Sequence, residues 1–188
     1  MPWFDDTEKA YQDCSQAIEA NPRDTKAILY RGAALQCLSR PDEAIADFAR
    51  VVELIPPDTP DPGLLAILVE AHICLGVAVG RRSDPLSAVK EFSKALELNP
   101  NHHLAYYNRG ISWSRYGESV KAIIDYSKTI EINPDYADAF LHRGLERRNI
   151  GDTQRSREDF AKVREFNNKA RESNSRFRCG NRKRYTRA

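Results

Sequence analysis

The chain is dominated by a sequence repeat centred on four glycines. Each glycine is followed after twelve residues by a small residue and after sixteen residues by an aromatic residue. The last three glycines are thirty-four residues apart, whereas the first step is forty-four. A fixed period of this length predicts stacked supersecondary units rather than one globular core. The glycines are Gly32, Gly76, Gly110 and Gly144, the small residues are Ala44, Ala88, Ala122 and Ser156, and the aromatic residues are Phe48, Phe92, Tyr126 and Phe160.

Four prolines keep the same register. The steps from Pro22 to Pro56, to Pro100 and to Pro134 are thirty-four, forty-four and thirty-four residues. Because proline cannot continue a helix, it ends each unit at the same place. Apolar residues at helical spacing between the prolines predict two short amphipathic helices per unit. The first helix carries the glycine, which lets a neighbouring helix approach closely.

The third unit resembles the tetratricopeptide repeat (TPR) family. The resemblance rests on the segment 105–110, which reads AYYNRG, and on Gly117, Ala122, Tyr126 and Pro134. It covers residues 7–168. It implies an all-α fold, a right-handed solenoid of antiparallel helix pairs, whose concave face holds a peptide or a partner helix. The related proteins need several stacked repeats because each unit buries surface only against its neighbours.

The repeat register divides the chain into seven segments. Residues 1–24 form an incomplete repeat with a second helix only, from Thr7 to Ala20. Three segments, 25–58, 69–102 and 103–136, are regular repeats, and 59–68 is an insertion that extends the following first helix. Residues 137–173 form a degenerate last repeat with a capping helix, and 174–188 a basic disordered tail. The missing first helix leaves three interpretations: Trp3 and Phe4 fold back as a partial cap, the chain is a fragment or isoform of a longer array, or it associates with a second chain at this end.

The insertion begins with a proline-rich loop and continues into an apolar helix. Asp61 suits an N-cap and Pro62 the first helical position, so we expect a helix from Pro62 to about Gly80. The apolar run from Leu64 to Val79 contains Glu70 and His72 and is shorter than the twenty or so residues that a membrane span needs. The sequence therefore favours a buried helix, and we expect no membrane span.

Nothing in the sequence indicates catalysis or a cofactor. The four cysteines are widely separated, which argues against a zinc site and favours free thiols in a reducing, cytoplasmic setting. The four histidines lack metal-binding spacing, and there is no glycine-rich phosphate loop or nucleophile elbow. Charged residues near the C-terminus, among them Arg155 and Asp159, suggest a solvated face. We therefore expect no enzyme and no metal.

The C-terminal end is strongly basic. Residues 169–188 carry eight cationic side chains and one acid, so this segment has a charge of +7 within a chain of net charge +2. Such a tail could engage nucleic acid or direct the protein to the nucleus, or it could simply be a solubilising extension. The candidate residues are Arg176, Arg178, Arg182, Lys183, Arg184 and Arg187.

The TPR resemblance also implies where a ligand would bind. In this family the groove is lined by first-helix residues at fixed distances from the glycine, and apolar and aromatic residues dominate those positions here. Asn108 suits a hydrogen bond to a ligand's backbone. Packing between helices is the alternative role for the apolar members of the set. The candidates are Lys26, Tyr30, Tyr107, Asn108, Ile111, Arg115, His142 and Arg148.

The chaperone-binding members of the family clamp a C-terminal carboxylate, and this chain does not match them. Only Asn108 agrees with the clamp, and Asp138 carries the wrong charge for it. The sequence therefore predicts a non-enzymatic scaffold or adaptor that binds an apolar peptide segment or helix. The alternative is a nucleic-acid-associated or nuclear protein recruited through its basic tail.

Overall fold

The protein is a run of α-helices that pack on one another in chain order. The structure, a computed structural model, describes residues 2–182, with side-chain surroundings for residues 6–169 and for Arg171. Those residues form nine helices and no strand. The helices are α1 (Pro2–Ala20), α2 (Thr25–Cys37), α3 (Pro41–Leu54), α4 (Pro62–Arg81), α5 (Pro85–Leu98), α6 (His103–Tyr116), α7 (Ser119–Ile132), α8 (Ala137–Asn149) and α9 (Thr153–Arg182).

Successive helices form antiparallel pairs, and the pairs stack into a solenoid. The first helices also touch one another along one side, since α4 contacts both α2 and α6, and α6 contacts α8. This order of contacts is what an array of helical hairpins requires, because each hairpin is covered only by its neighbours. The side where α2, α4, α6 and α8 meet is the concave face.

Helix starts and ends follow local chemistry. Asp24 accepts a hydrogen bond from the backbone N–H of Ala27 at 3.0 Å, and Asp84 caps α5 in the same way through Ser87 at 3.0 Å. Asp61 accepts from the N–H of Gly63 at 2.7 Å and Pro62 is the first residue of α4, as predicted. Gly117 ends α6 with φ of 91°, a left-handed conformation that glycine adopts without strain.

The repeated glycines allow an aromatic ring to lie close against the first helix of each hairpin. A Cβ added at Gly110 would lie 2.7 Å from Cε1 of Tyr126, and one at Gly32 would lie 2.6 Å from Cε1 of Phe48. Gly76 and Gly144 meet the aromatic residue of their own hairpin in the same way. The close approach predicted from the glycine spacing is therefore confirmed, and the rings form the centre of each unit.

The last repeat departs from alanine at its small position without losing the packing. Ser156 is buried, and its hydroxyl donates to the carbonyl oxygen of Gly144 at 2.7 Å. A buried hydroxyl is tolerated when it is hydrogen-bonded. The serine therefore adds a polar link between α8 and α9 where the other repeats have a methyl group.

An ion pair joins the two helices of three hairpins. The arginine just before the glycine binds the aspartate just before the aromatic residue, in Arg31–Asp47, Arg109–Asp125 and Arg143–Asp159. Each aspartate is buried, and Arg147 also reaches Asp159 at 2.8 Å. The expectation that Asp159 belongs to a solvated face is therefore wrong, because the helix turns this carboxylate towards α8; its neighbour Arg155 is exposed, with 69% of its side chain accessible.

The second hairpin replaces that ion pair. Leu75 stands where the others have arginine, and Glu91 where they have aspartate. His72, one turn earlier on α4, contacts Glu91 through Nδ1 at 2.8 Å, and Lys94 contacts the other carboxylate oxygen at 3.1 Å. The glutamate side chain, which is longer than aspartate, thus binds His72, one turn before the position where the other hairpins have arginine, and Lys94 on its own helix.

The ends of the chain differ from expectation in two ways. Helix α1 begins at Pro2, so the backbone of Trp3 and Phe4 continues the helix and does not fold back on it. Helix α9 continues to Arg182, nine residues past the predicted end at Ser173, because no proline or left-handed glycine stops it within the described residues. The prediction of disorder is therefore wrong for residues 174–182, and for residues 183–188 it lies outside the described part of the chain.

Helix α4 is the one described helix that is long and apolar enough to cross a membrane, by length and composition only. Core helices pass the same test, and in this helix Leu68, Ala71 and Ala78 belong to the core shared with α2 and α3. Seven of the twenty residues of α4 are buried, so the prediction of a buried helix holds for part of its length.

Candidate functional site

A cleft opens on the concave face between α4 and α6. It has a volume of about 190 Å³. Helix α4 contributes Val77 and Arg81 to its walls, and helix α6 contributes Asn108, Ile111 and Arg115. The remaining lining residues are Gly76, Gly80, Phe92 and Ser112. The cleft thus combines three apolar side chains, one amide, one hydroxyl and two guanidinium groups.

The two arginines occupy equivalent places in successive repeats. Arg81 follows Gly76 by five residues, and Arg115 follows Gly110 by five. Nη1 of Arg115 donates to the carbonyl oxygen of Gly80 at 3.2 Å, which holds this side chain across the end of the cleft. No lining residue is acidic, so the cleft carries a local positive charge.

An aromatic cluster adjoins the cleft at α8. The ring of Tyr107 lies edge-on to those of Tyr136 and His142, with centroids 4.9 Å and 5.6 Å away. Tyr126 lies under the cluster, 5.8 Å from His142. Edge-to-face contacts of this kind stabilise aromatic pairs. Burial, and then the nearby charge of Asp138, raise the pKa of Tyr107 to about 12, so its hydroxyl is protonated at neutral pH.

No family model matches the chain, but solved structures share its fold. MamA superposes with a TM-score of 0.78 over 89% of this chain and 92% of MamA, at 26% identity. YrrB, a TPR protein with an unusual peptide-binding site, superposes with a TM-score of 0.68 over 86% of this chain and 78% of YrrB, at 19% identity. The chain has the fold of tetratricopeptide repeat proteins.

One curated protein matches part of this chain in sequence. It is the human protein O-mannosyl-transferase TMTC3, which is 34% identical over 105 residues. Those residues are 55% of this chain but 10% of TMTC3. The chain therefore spans about a tenth of that relative's length.

The TPR fold brings some of the predicted groove residues together and separates others. Asn108, Ile111 and Arg115 share the cleft, and Tyr107 and His142 share the aromatic cluster beside it. The other three lie elsewhere on exposed helix surfaces. They are Lys26 and Tyr30 on α2 and Arg148 on α8.

Several contributors to this region, among them Arg81 and Tyr136, were not among the predicted site residues. Arg81 was missed although the repeat register places it opposite Arg115, so the register would have found it. Tyr136 was missed because it precedes α8, outside the first-helix positions that the family pattern uses. Only the fold shows that its ring closes the cluster around Tyr107.

The insertion creates two larger clefts on either side of α4. One, of about 380 Å³, is lined by the start of α4 and by the turn before α6, including Leu65, Glu70 and His102. The other, of about 300 Å³, includes Ile55, Leu68 and Lys94. In neither cleft, nor elsewhere in the described residues, do three or more metal-binding side chains come together.

Proposed function

We propose that this TPR protein is a non-enzymatic scaffold or adaptor that binds a protein segment in its concave groove. The observation that carries the proposal is the cleft between α4 and α6, with its apolar walls and its two arginines. TPR neighbours support a protein-interaction role in general. YrrB in particular is a peptide-binding TPR protein, at an identity that supports likeness of fold alone.

The composition of the cleft indicates what kind of segment it takes. Val77 and Ile111 offer apolar contact to an aliphatic or aromatic side chain of the ligand. The Asn108 amide both donates and accepts, which fits the backbone of an extended or helical peptide. Arg81 and Arg115 favour an acidic side chain beside the apolar one. The ligand is therefore an amphipathic segment rather than a purely apolar one.

The aromatic cluster extends the binding surface towards α8. Tyr107 and His142 are each half-buried, so part of each residue is accessible to a ligand. Rigid aromatic side chains supply contact area with little loss of conformational freedom, which makes them frequent contributors to binding energy. One bound segment would contact the cleft and the cluster together.

A carboxylate clamp of the chaperone-binding type remains disfavoured. Asp138 is exposed at a position where the clamp has a basic group, and its charge would repel a C-terminal carboxylate. The match to TMTC3 covers too little of that protein to bring a transferase activity to this chain.

Affinity capture with matched variants tests the groove. Capture from the native cell extract, with mass spectrometry, should compare the intact chain with Asn108→Ala and Arg115→Glu. The control is Ile124→Ala, which removes an exposed apolar side chain from the second helix α7. We expect partners to be lost with the two groove variants and kept with the control. Equal capture by all four proteins would contradict groove binding.

The basic tail is the alternative route of recruitment, towards nucleic acid. Side chains beyond Arg171 lie outside the described residues, so this remains a prediction from the sequence. Deleting residues 174–188 separates the two functions. Nucleic-acid binding that falls steeply with salt and vanishes in the truncated chain would favour the tail; partner capture that survives the truncation favours the groove.

A further inference from the structure

Both ends of the solenoid present a helix face that the described residues leave uncovered. At the N-terminal end this is the face of α1 that a preceding first helix would cover. At the C-terminal end it is the face of α9 that a following first helix would cover. The internal repeats show what such faces look like when they are covered, so each end can be compared with its own equivalents.

The free face of α1 has small and acidic residues at positions that are buried in the next repeat. Asp13 lies thirty-four residues before Asp47, and Ala10 lies thirty-four before Ala44. Ala44 and Asp47 are buried against α2, where Arg31 binds Asp47. Ala10 and Asp13 are exposed, and Asp13 has no ion-pair partner among the described residues. An arginine-bearing helix is thus the occupant that this face fits.

The free face of α9 has the opposite charge. Arg157 and Arg164 occupy the repeat positions where α5 has Val89 and Leu96, which are both buried. Both arginines are exposed, as is Arg171 one heptad later. No ion pair within the described part of the chain engages any of the three. Arginine in place of valine and leucine prevents a further apolar repeat from packing here but leaves cations free for a charged partner.

The two faces match in spacing as well as in charge. On α1 the exposed residues of the face are Asp6, Ala10 and Asp13, with steps of four and three residues. On α9 they are Arg157, Ala161 and Arg164, with the same steps. Each face thus has two like charges one heptad apart, acidic on α1 and basic on α9, and the alanine between them allows two helices to approach closely.

We propose that a second copy of this chain is the occupant, so that α9 of one copy docks on α1 of the next. In this assembly an arginine of α9 binds Asp13. It takes the place that Arg31 of α2 has beside Asp47, the equivalent of Asp13 in the next repeat. The contact is heterologous, because it joins two different surfaces, and each added copy leaves one free face at either end. Exposed ion pairs are weak and are screened by salt, so the association is reversible and depends on concentration and salt.

Sedimentation velocity of the full chain at increasing concentration tests this assembly. The intact protein should show a growing average mass in low salt and should become monomeric in about 1 M salt, where the Debye length is about 3 Å. The Asp6→Arg/Asp13→Arg variant and the Arg157→Asp/Arg164→Asp variant should each remain monomeric alone. Circular dichroism should show that both keep the helical fold, since all four side chains are exposed.

Charge exchange makes the test specific. Mixing the two variants should restore association, because each supplies the face that complements the other; the chain with all four substitutions should also associate by itself. The control is Glu8→Arg/Glu19→Arg, which makes the same change of charge on the opposite side of α1, about 200° to 220° around the helix from Asp6. This control variant should associate as the intact chain does. A strictly monomeric intact chain, or association that ignores both end variants, would overturn the proposal.

Discussion

The guanidinium group of Arg109 binds the buried carboxylate of Asp125 through two hydrogen bonds of 2.8 Å, one from Nε and one from Nη2. Its third nitrogen donates to the hydroxyl of Ser93 at 3.0 Å. One side chain thus links the first helix α6 to the second helix of its own hairpin and to that of the preceding hairpin. Arg143 repeats the arrangement with Asp159 and Ser127.

Removing Arg109 should destabilise the fold strongly. Arg109→Leu leaves the Asp125 carboxylate buried, at 4% accessibility, without its partner, and we expect a loss of about 3 kcal/mol in the free energy of unfolding. The double variant Arg109→Leu/Asp125→Ala should lose less than the sum of its single changes. Urea denaturation followed by circular dichroism measures both. The exposed Arg155→Leu is the control, with an expected change of less than about 0.5 kcal/mol.

The glycine and the aromatic ring should be coupled. Alanine normally stabilises a helix relative to glycine, but the new Cβ at Gly110→Ala would lie 2.7 Å from Cε1 of Tyr126. We expect a net loss of about 1–3 kcal/mol from overpacking. The same substitution in a Tyr126→Leu background should cost less, because the ring edge is gone. Thermal or urea unfolding measures the loss of stability in both backgrounds. Equal losses would show that the contact between the new Cβ and the Tyr126 ring is not the cause of the destabilisation.

The second hairpin should lose a part of its stability in acid. Burial alone would raise the pKa of Glu91, but hydrogen bonds from His72 and Lys94 outweigh it and lower this pKa below the ordinary value of 4.5. The folded state therefore favours the carboxylate. Its contribution to stability is present above the ordinary pKa and is lost as the pH falls through the lowered one.

The Glu91→Gln variant isolates this effect. The difference in unfolding free energy between the intact chain and the variant should be largest above about pH 5 and should shrink at lower pH. Urea midpoints at a series of pH values give that difference. A difference that stays constant, or that grows in acid, would mean that the His72 and Lys94 contacts do not stabilise the charged form.

The cysteines should differ in reactivity. Burial, and then the charge of Glu70, raise the pKa of Cys74 to about 12, so almost none of its thiolate is present at pH 8. Cys37 is exposed. Iodoacetamide at pH 8 should therefore modify Cys37 well before Cys74, as peptide mass spectrometry can show. Comparable rates at the two sites would place Cys74 in a more accessible environment than its helix packing gives it.

The features that the sequence predicted are those with a fixed spacing. The glycine, the aromatic residue and the proline recur at the same intervals, so the helix pairs and the close approach of a neighbouring helix at each glycine could be foreseen. The Asp61 cap could be foreseen for the same reason. Local rules of this kind do not depend on the rest of the fold.

The interactions that were missed depend on which way a side chain points across a helix interface. Asp159 stands among exposed charged residues, and only the packing of α9 on α8 shows that its carboxylate is buried. Tyr136 precedes its helix and has no fixed place in the repeat. No proline stands between Ser173 and Arg182 to end α9, and the basic composition from residue 174 onwards predicted disorder where the backbone continues as a helix.

Site-specific photo-crosslinking tests the central claim, that the concave groove binds another protein, most directly. A photoreactive phenylalanine analogue at Ile111 lies in the cleft, and the same analogue at Ile124 lies on the exposed surface of α7. In the native cell extract, Ile111 should yield a discrete crosslinked partner that Asn108→Ala and Arg115→Glu remove, and Ile124 should yield none. Crosslinks from Ile124 alone, or from both positions regardless of the groove substitutions, would contradict groove binding.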